Sequence, residues 1–429
     1  MKKLGKRFWP LVFYSIAANV GNVIFFPVMF YAAFQQVFHL TNTQIGSLTA
    51  AYASLAIPAY LVSGIIADKF NSKLLMSIAC ISSTVVVFIM ATIPPYRVLL
   101  ICFFVLSITL GLLFWSATAK LRRMLGDASE QGTINGIYQC IDGILSLGLM
   151  VGLVALLGDK LATPAGMRTL FLVFGIIYAI GTVGFIITYD YKKYAATYVI
   201  STGEPVRLKN YLVGLKIPAM WITALMSFGV YITSTAFNYI NPYMVSEFAM
   251  SAAFASIFGI LLRYGIKIVA APLGGMIRDK INNTTRMIVS LGIPTIILVI
   301  VFMFIPRGAA YTVPAVIVAL LLTCTYRSVN NLCEIPVAEL KVPLEILGVV
   351  GGLYLFFGYC SDWFLPALIG HWMDTKGGNA YYYIFSIAVV GLFIFVLASF
   401  WLKAELKKVA WPTRADTLKK TGIVIVCVI

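Results

Sequence analysis

The sequence predicts an all-α membrane protein: twelve transmembrane helices in two pseudo-symmetric six-helix bundles. Three observations carry that expectation. The 429-residue chain is 61% hydrophobic and 11% charged, with a mean hydropathy of +0.93; this is too apolar for a soluble fold and too long for one membrane anchor. Apolar runs of about 20 residues, the length that crosses a bilayer, recur twelve times. A loop pattern, SGIIADK at Ser63–Lys69, returns as GGMIRDK at Gly274–Lys280.

The runs in order are residues 8–34, 44–67, 74–93, 98–119, 132–157, 168–190, 219–243, 251–277, 287–305, 312–335, 346–370 and 381–402, called spans 1 to 12 below. The basic start MKKLGKRFWP has no cleavage site behind it, so residues 8–34 are expected to stay as span 1 rather than be removed as a signal peptide. Spans 3, 6, 9 and 12 carry few polar residues, which suits lipid-facing positions. The longest polar interruption, 191–218, divides the chain into an N-terminal bundle (1–190) and a C-terminal bundle (219–402), joined by a central cytoplasmic loop (191–218) and followed by a tail (403–429). The last nine residues, Thr421–Ile429, are apolar but too few to span.

The formal charge of +16 is distributed as a topology signal and not as a nucleic-acid-binding face. Of the 32 Lys and Arg, 24 fall in alternate gaps and five in the others, with Arg263, Lys267 and Arg327 inside spans. By the positive-inside rule both termini are cytoplasmic in a multi-pass bacterial inner membrane protein. Seven Cys without paired spacing and two distant His, His39 and His371, give no disulfide framework and no metal site. No nucleophile with a base and no phosphate-binding loop is visible, so neither an enzyme nor a cofactor is expected.

Two matches support duplication. Gly64, Asp68, Lys69 and Asn71 correspond to Gly275, Asp279, Lys280 and Asn282 at one offset of 211, and Asn19 and Asn22 in span 1 correspond to Asn238 and Asn241 in span 7. The stretch GIIADKFNSK, Gly64–Lys73, resembles the loop signature G-x-x-x-D-[RK]-x-G-x-[RK] of the major facilitator superfamily. The resemblance extends over essentially the whole chain, through the degenerate second signature and the LGDASEQGTING loop after span 4. Asn71 replaces the usual Gly, Ser72 a common basic residue, and span 5 lacks the proline motif of drug/proton antiporters. The resemblance implies two bundles that rock about a central site. It also implies gating roles for Asp68 and Asp279, with Lys69, Lys73, Lys280 and Arg286 as partners. Within the superfamily the chain looks more like bacterial carriers of organic anions than carriers of neutral sugars.

The residues that could carry transport chemistry lie inside spans. Span 8 is roughly 40 Å long at 1.5 Å per residue, which puts Arg263 near mid-depth and Lys267 one turn on, on the same face. Each such cation costs about 2.5–3.5 kcal/mol on insertion scales. A bound carboxylate, phosphate or sulfonate would offset that cost and the mutual repulsion; the alternative is pairing with Asp142, Glu334 or Asp362. In span 10, Arg327, Asn331 and Glu334 are spaced to form one polar stripe. Glu334 either titrates or neutralises a cation. Asp142 in span 5 and Asp362 in span 11 either carry protons or are held ionised by a nearby cation.

Asn19, Asn22, Tyr231, Thr235, Asn238 and Asn241 recur at helical spacing. They either hydrogen-bond a hydroxylated substrate or join helices. Trp115 and Tyr264 either stack on a ring or pack. The expected function is secondary active transport of a small organic anion (sugar acid, organophosphate, sulfonate or carboxylate) by alternating access as proton symport, by a monomer. Anion exchange and ligand sensing without transport are the alternatives.

Overall fold

A computed structural model describes residues 5–126, 130–197, 208–266, 270, 281, 283–330, 332–333, 335–340, 342 and 346–408. Every regular element among them is helical. Ten helical stretches are long and apolar enough to cross a membrane; the last, Leu347–Lys407, contains both span 11 and span 12, and the shorter apolar helix Ala252–Gly265 opens span 8. The twelve expected spans are therefore all represented. Spans 1, 3 and 6 pack together in the first half, as do spans 7, 9 and 12 in the second, while spans 2 with 11 and 5 with 8 join the halves.

Local chemistry sets the helix starts. Thr41 and Gln44 form a reciprocal capping box at the head of span 2, with bonds of 3.0 and 3.1 Å. Thr163 caps span 6 ahead of Pro164, Ser251 caps span 8, and Asn283 caps span 9. Asn71 accepts from the amides of Lys73 and Leu74, so it caps span 3. The repeat extends to these caps. The helices before spans 2 and 8 each end in a left-handed non-glycine residue, His39 (φ 52°) and Ala249 (φ 54°), followed two residues later by the cap of the next helix, Thr41 or Ser251.

The expected straight spans are interrupted at mid-chain. Span 1 tightens to a 3₁₀ segment at Asn19–Phe25, span 7 breaks between Phe237 and Ile240, and span 11 tightens at Cys360–Trp363. Spans 4, 5 and 8 widen to π-helix at Ser107–Phe114, Ile144–Leu149 and Leu261–Gly265. Span 10, expected to run to residue 335, ends at Asn330. Pro336, at the second position of the next helix Ile335–Glu339, has no N–H to continue the ladder. Such irregularities are tolerated within a membrane where they line a cavity or are covered by protein.

The halves are shut against one another on the side opposite the described ends Gly5 and Lys408, called the far side here. There a Cβ on Gly46 would lie 2.1 Å from the Pro366 carbonyl oxygen, and one on Gly370 2.3 Å from that of Asn42; only glycine lets spans 2 and 11 approach so closely. Asp374, past the end of span 11, accepts bonds from the amides of Asn42 (3.0 Å) and Thr43 (2.8 Å) and from their side chains (2.8 and 2.6 Å). A carboxylate thus covers the positive end of the span 2 helix across the domain seam. Burial pushes its pKa up, but these hydrogen bonds outweigh that effect and hold it below the usual carboxylate value. The closed arrangement therefore gains fully above about pH 4, and the gain fades as pH falls through the depressed pKa. Asp374→Ala is expected to shift the population toward far-side opening. This would appear as a longer spin-label distance between positions 36 and 375, with the wild type approaching the same distance only in acid.

Of the expected gating residues, Lys69 ends the span 2 helix and is exposed, Arg286 near the start of span 9 is exposed, and Lys73 is half-buried. The side chain of Asp68, and the whole of Asp279 and Lys280, lie outside the described residues. On the same side the Tyr211 hydroxyl, in the helix Leu208–Gly214 of the central segment, donates to the Leu61 carbonyl of span 2.

Candidate functional site

The helix interruptions converge on a cavity of about 530 Å³ between the halves. Arg263 enters it from the π-turn of span 8, Asn238 from the break in span 7, Asp362 from the 3₁₀ turn of span 11, and Arg327 from the last turn of span 10. The first half supplies Phe25, Thr49, Tyr52, Tyr60 and Trp115. An adjoining pocket of about 50 Å³ shares Arg263, Arg327 and Asn238 and adds Asn241.

The two arginines are held differently. The Arg263 guanidinium carbon lies 3.5 Å from the centre of the Phe25 ring, a cation–π contact across the two halves. Its Nη1 donates to Asn238 Oδ1 at 3.4 Å. Arg327 has an enclosed Nε with no hydrogen-bond acceptor among the described residues, a costly state for a charged group. Among the described residues no carboxylate lies within 4.0 Å of either arginine. Asp362 accepts one hydrogen bond, from Thr235 Oγ1 at 2.9 Å, and has no cation within 4.0 Å among the described residues. The cavity therefore holds two guanidinium groups and one carboxyl, none neutralised by a described ion pair.

Several expected substrate contacts fall elsewhere. Asn19 and Asn22 do not line the cavity. Asn19 Nδ2 donates to Asp142 Oδ1 (2.8 Å) and Ser146 Oγ (2.9 Å), and Asn22 Nδ2 donates to Ser146 Oγ (3.2 Å). The 3₁₀ winding at Asn19–Phe25 turns both amides toward span 5. Asp142 accepts in that network, does not line the cavity, and has no ion pair among the described residues. Asn241 donates to the Met29 carbonyl at 3.0 Å and so ties span 7 to span 1. Tyr264 is buried, donates to Asn22 Oδ1 at 2.9 Å and is not among the residues lining the cavity. Tyr231 lines the cavity with its ring centre 3.5 Å from that of Tyr359. Lys267, Asn331 and Glu334 lie outside the described residues; beside Arg327 the lining amide is Asn330.

The sequence reading missed Tyr52, Tyr60, Thr49, Phe25 and the Asp374 cap. One signal was available for the first: at the 211-residue offset of the loop repeat, Tyr52 is the partner of Arg263, and both line the cavity.

Residues 11–362 match the family described as Major Facilitator Superfamily. Residues 400–429 match a second description, SecE/Sec61-gamma subunits of protein translocation complex. Among curated proteins, Inner membrane protein YqcE of Escherichia coli (strain K12) is 27% identical over 375 residues, covering 86% of this chain and 87% of the relative. Inner membrane protein YihN of the same organism is 24% identical over 385 residues, covering 87% and 90%. The fold is similar to that of a bacterial homolog of the human lysosomal transporter Spinster in an inward-facing, unoccupied conformation, with a TM-score of 0.70 at 14% identity over 95% of this chain and 99% of that one. It is also similar to the nucleoside transporter NupG, with a TM-score of 0.65 at 13% identity over 95% and 100%.

Proposed function

This chain belongs to the Major Facilitator Superfamily, a transporter of the multi-pass inner-membrane type, and on that premise we propose that it carries a small organic anion together with a proton. The observation that carries the reading is the pair Arg263 and Arg327 in one cavity, with no described carboxylate within 4.0 Å and with the Arg327 Nε lacking a described acceptor. Holding two cations at mid-membrane with no ion pair among the described residues is costly. A bidentate oxyanion removes both the repulsion and the unmet hydrogen bonding. Asp362 is the proton carrier in this reading, because it shares the cavity with both arginines and holds one hydrogen bond that a protonated carboxyl can also accept.

The excess of Lys and Arg on the side of the termini puts that side in the cytoplasm, so the far-side closure by Gly46, Gly370 and Asp374 is periplasmic. Alternating access then consists of breaking those contacts while the cytoplasmic ends close, with Asp68, Lys69, Lys73, Asp279, Lys280 and Arg286 as the gating groups. The test is a thermal-shift screen of carboxylates, phosphates and sulfonates against the purified protein and its Arg263→Ala variant. Anions are expected to raise the melting temperature of the wild type alone. Equal stabilisation of both proteins by neutral compounds, with no anion discriminating them, overturns the reading.

A further inference from the structure

The cavity is chemically two-sided. All of its charge, Arg263, Arg327 and Asp362, comes from the second half; the first half contributes rings and hydroxyls. Those hydroxyls are unspent. Thr49 Oγ1 and the Tyr60 hydroxyl have no hydrogen-bond partner among the described residues, and the Tyr52 hydroxyl receives a bond from Trp115 Nε1 at 3.3 Å but has no acceptor for its own proton. Aromatic faces flank them. Tyr60 meets Tyr359 edge-on at 5.3 Å, and Trp115 is 39% exposed. Hydroxyls that line a cavity without a protein partner are placed to pair with a ligand's polar groups.

We infer that the substrate is a hydroxylated ring carrying an anionic group, bound with the anion on the arginines of spans 8 and 10 and the ring hydroxyls on Thr49, Tyr52 and Tyr60 of span 2. This rests on the anion reading above and narrows it. An unadorned alkyl or aryl anion would satisfy the arginines and leave three hydroxyls of the opposite wall unmatched. An acyclic short acid would leave much of about 530 Å³ unfilled. A hydroxylated ring does both jobs: its C–H face covers an aromatic ring, and its hydroxyls exchange bonds with phenols, whose loss discriminates strongly because the protein's own polar groups are then left unpaired.

The experiment measures binding by calorimetry for two pairs matched in head group: glucuronate against cyclohexanecarboxylate, and glucose 6-phosphate against cyclohexyl phosphate. Free glucose is the uncharged control. In at least one pair the hydroxylated member is expected to bind ten times or more tightly than its partner. Tyr60→Phe and Thr49→Val are expected to erase most of that preference while leaving the affinity for the cyclohexyl anion unchanged. Equal or reversed affinities within both pairs overturn the inference and leave the anion reading standing. A uniform loss across both members in Tyr60→Phe also overturns it, since that is the mark of a packing role. Glucose binding as tightly as the sugar anions, or no anion binding at all, sinks the anion reading and this inference with it.

Discussion

Arg327→Met should weaken anion binding strongly while making the unliganded protein more stable. The two effects have one cause. Arg327 sits in the cavity wall with an enclosed Nε that has no described acceptor, and no described carboxylate is within 4.0 Å of it. Replacing a buried charge that has no described ion pair by an apolar side chain of similar length removes a desolvation cost, so the unliganded melting temperature is expected to rise by a few degrees. A charge-assisted hydrogen bond contributes about 1.5–3 kcal/mol, and losing a bidentate set should weaken the anion on the order of 100-fold. Arg263→Lys makes a graded comparison. It keeps the charge but loses the planar stack on Phe25 and the two-pronged donor, for an expected loss of about tenfold. A fall in both unliganded stability and affinity for Arg327→Met would instead mark a structural arginine.

Asp362→Asn should uncouple transport from the proton gradient without destroying the site. The amide retains an acceptor for Thr235, whose hydroxyl lies 2.9 Å from Oδ1, and it mimics the protonated acid. With Asp362 ionised, the three charged side chains of the cavity leave one net positive charge; with it protonated, two. An arriving anion is therefore bound more tightly after protonation, which makes wild-type affinity fall as pH rises through the titration of Asp362. In the variant, affinity should stay at the acid-limit value across pH, exchange of labelled for unlabelled substrate should persist, and accumulation driven by an imposed pH gradient should drop at least tenfold. Retained accumulation would remove Asp362 from the coupling path.

How much of this was legible in the sequence varies by level. Hydropathy alone counts the spans, because the bilayer imposes both length and composition on each one. Arg263 and Arg327 stood out for the same reason: a cation at mid-span is too costly to be incidental. Asn19 and Asn22 looked equivalent to Asn238 and Asn241 because their spacing is the same, yet only Asn238 lines the large cavity. Spacing fixes a face of an ideal helix, whereas the 3₁₀ winding at Asn19–Phe25 and the break beyond Phe237 rotate those faces independently. In span 10 the helix is described to Asn330, and the stripe's Asn331 and Glu334 lie outside the described residues. The hydroxyl wall on span 2 was hidden because Thr49 and Tyr60 are ordinary residues for a membrane helix, and only Tyr52, opposite Arg263 in the repeat, carried a signal. Asp374 was invisible because its acceptors are filled by Asn42 and Thr43, more than 300 positions away in sequence.

Coupled flux is the most direct measurement of the account. Purified protein is reconstituted into liposomes with an alkaline interior and a trapped pH-sensitive dye, and uptake of the tightest-binding anion from the screen is recorded together with internal pH. Adding the anion outside is expected to acidify the lumen in proportion to the anion taken up, the label to accumulate above its external concentration, and Asp362→Asn to lower both at least tenfold. An anion that binds tightly but never enters, or that enters with no movement of protons, contradicts proton symport.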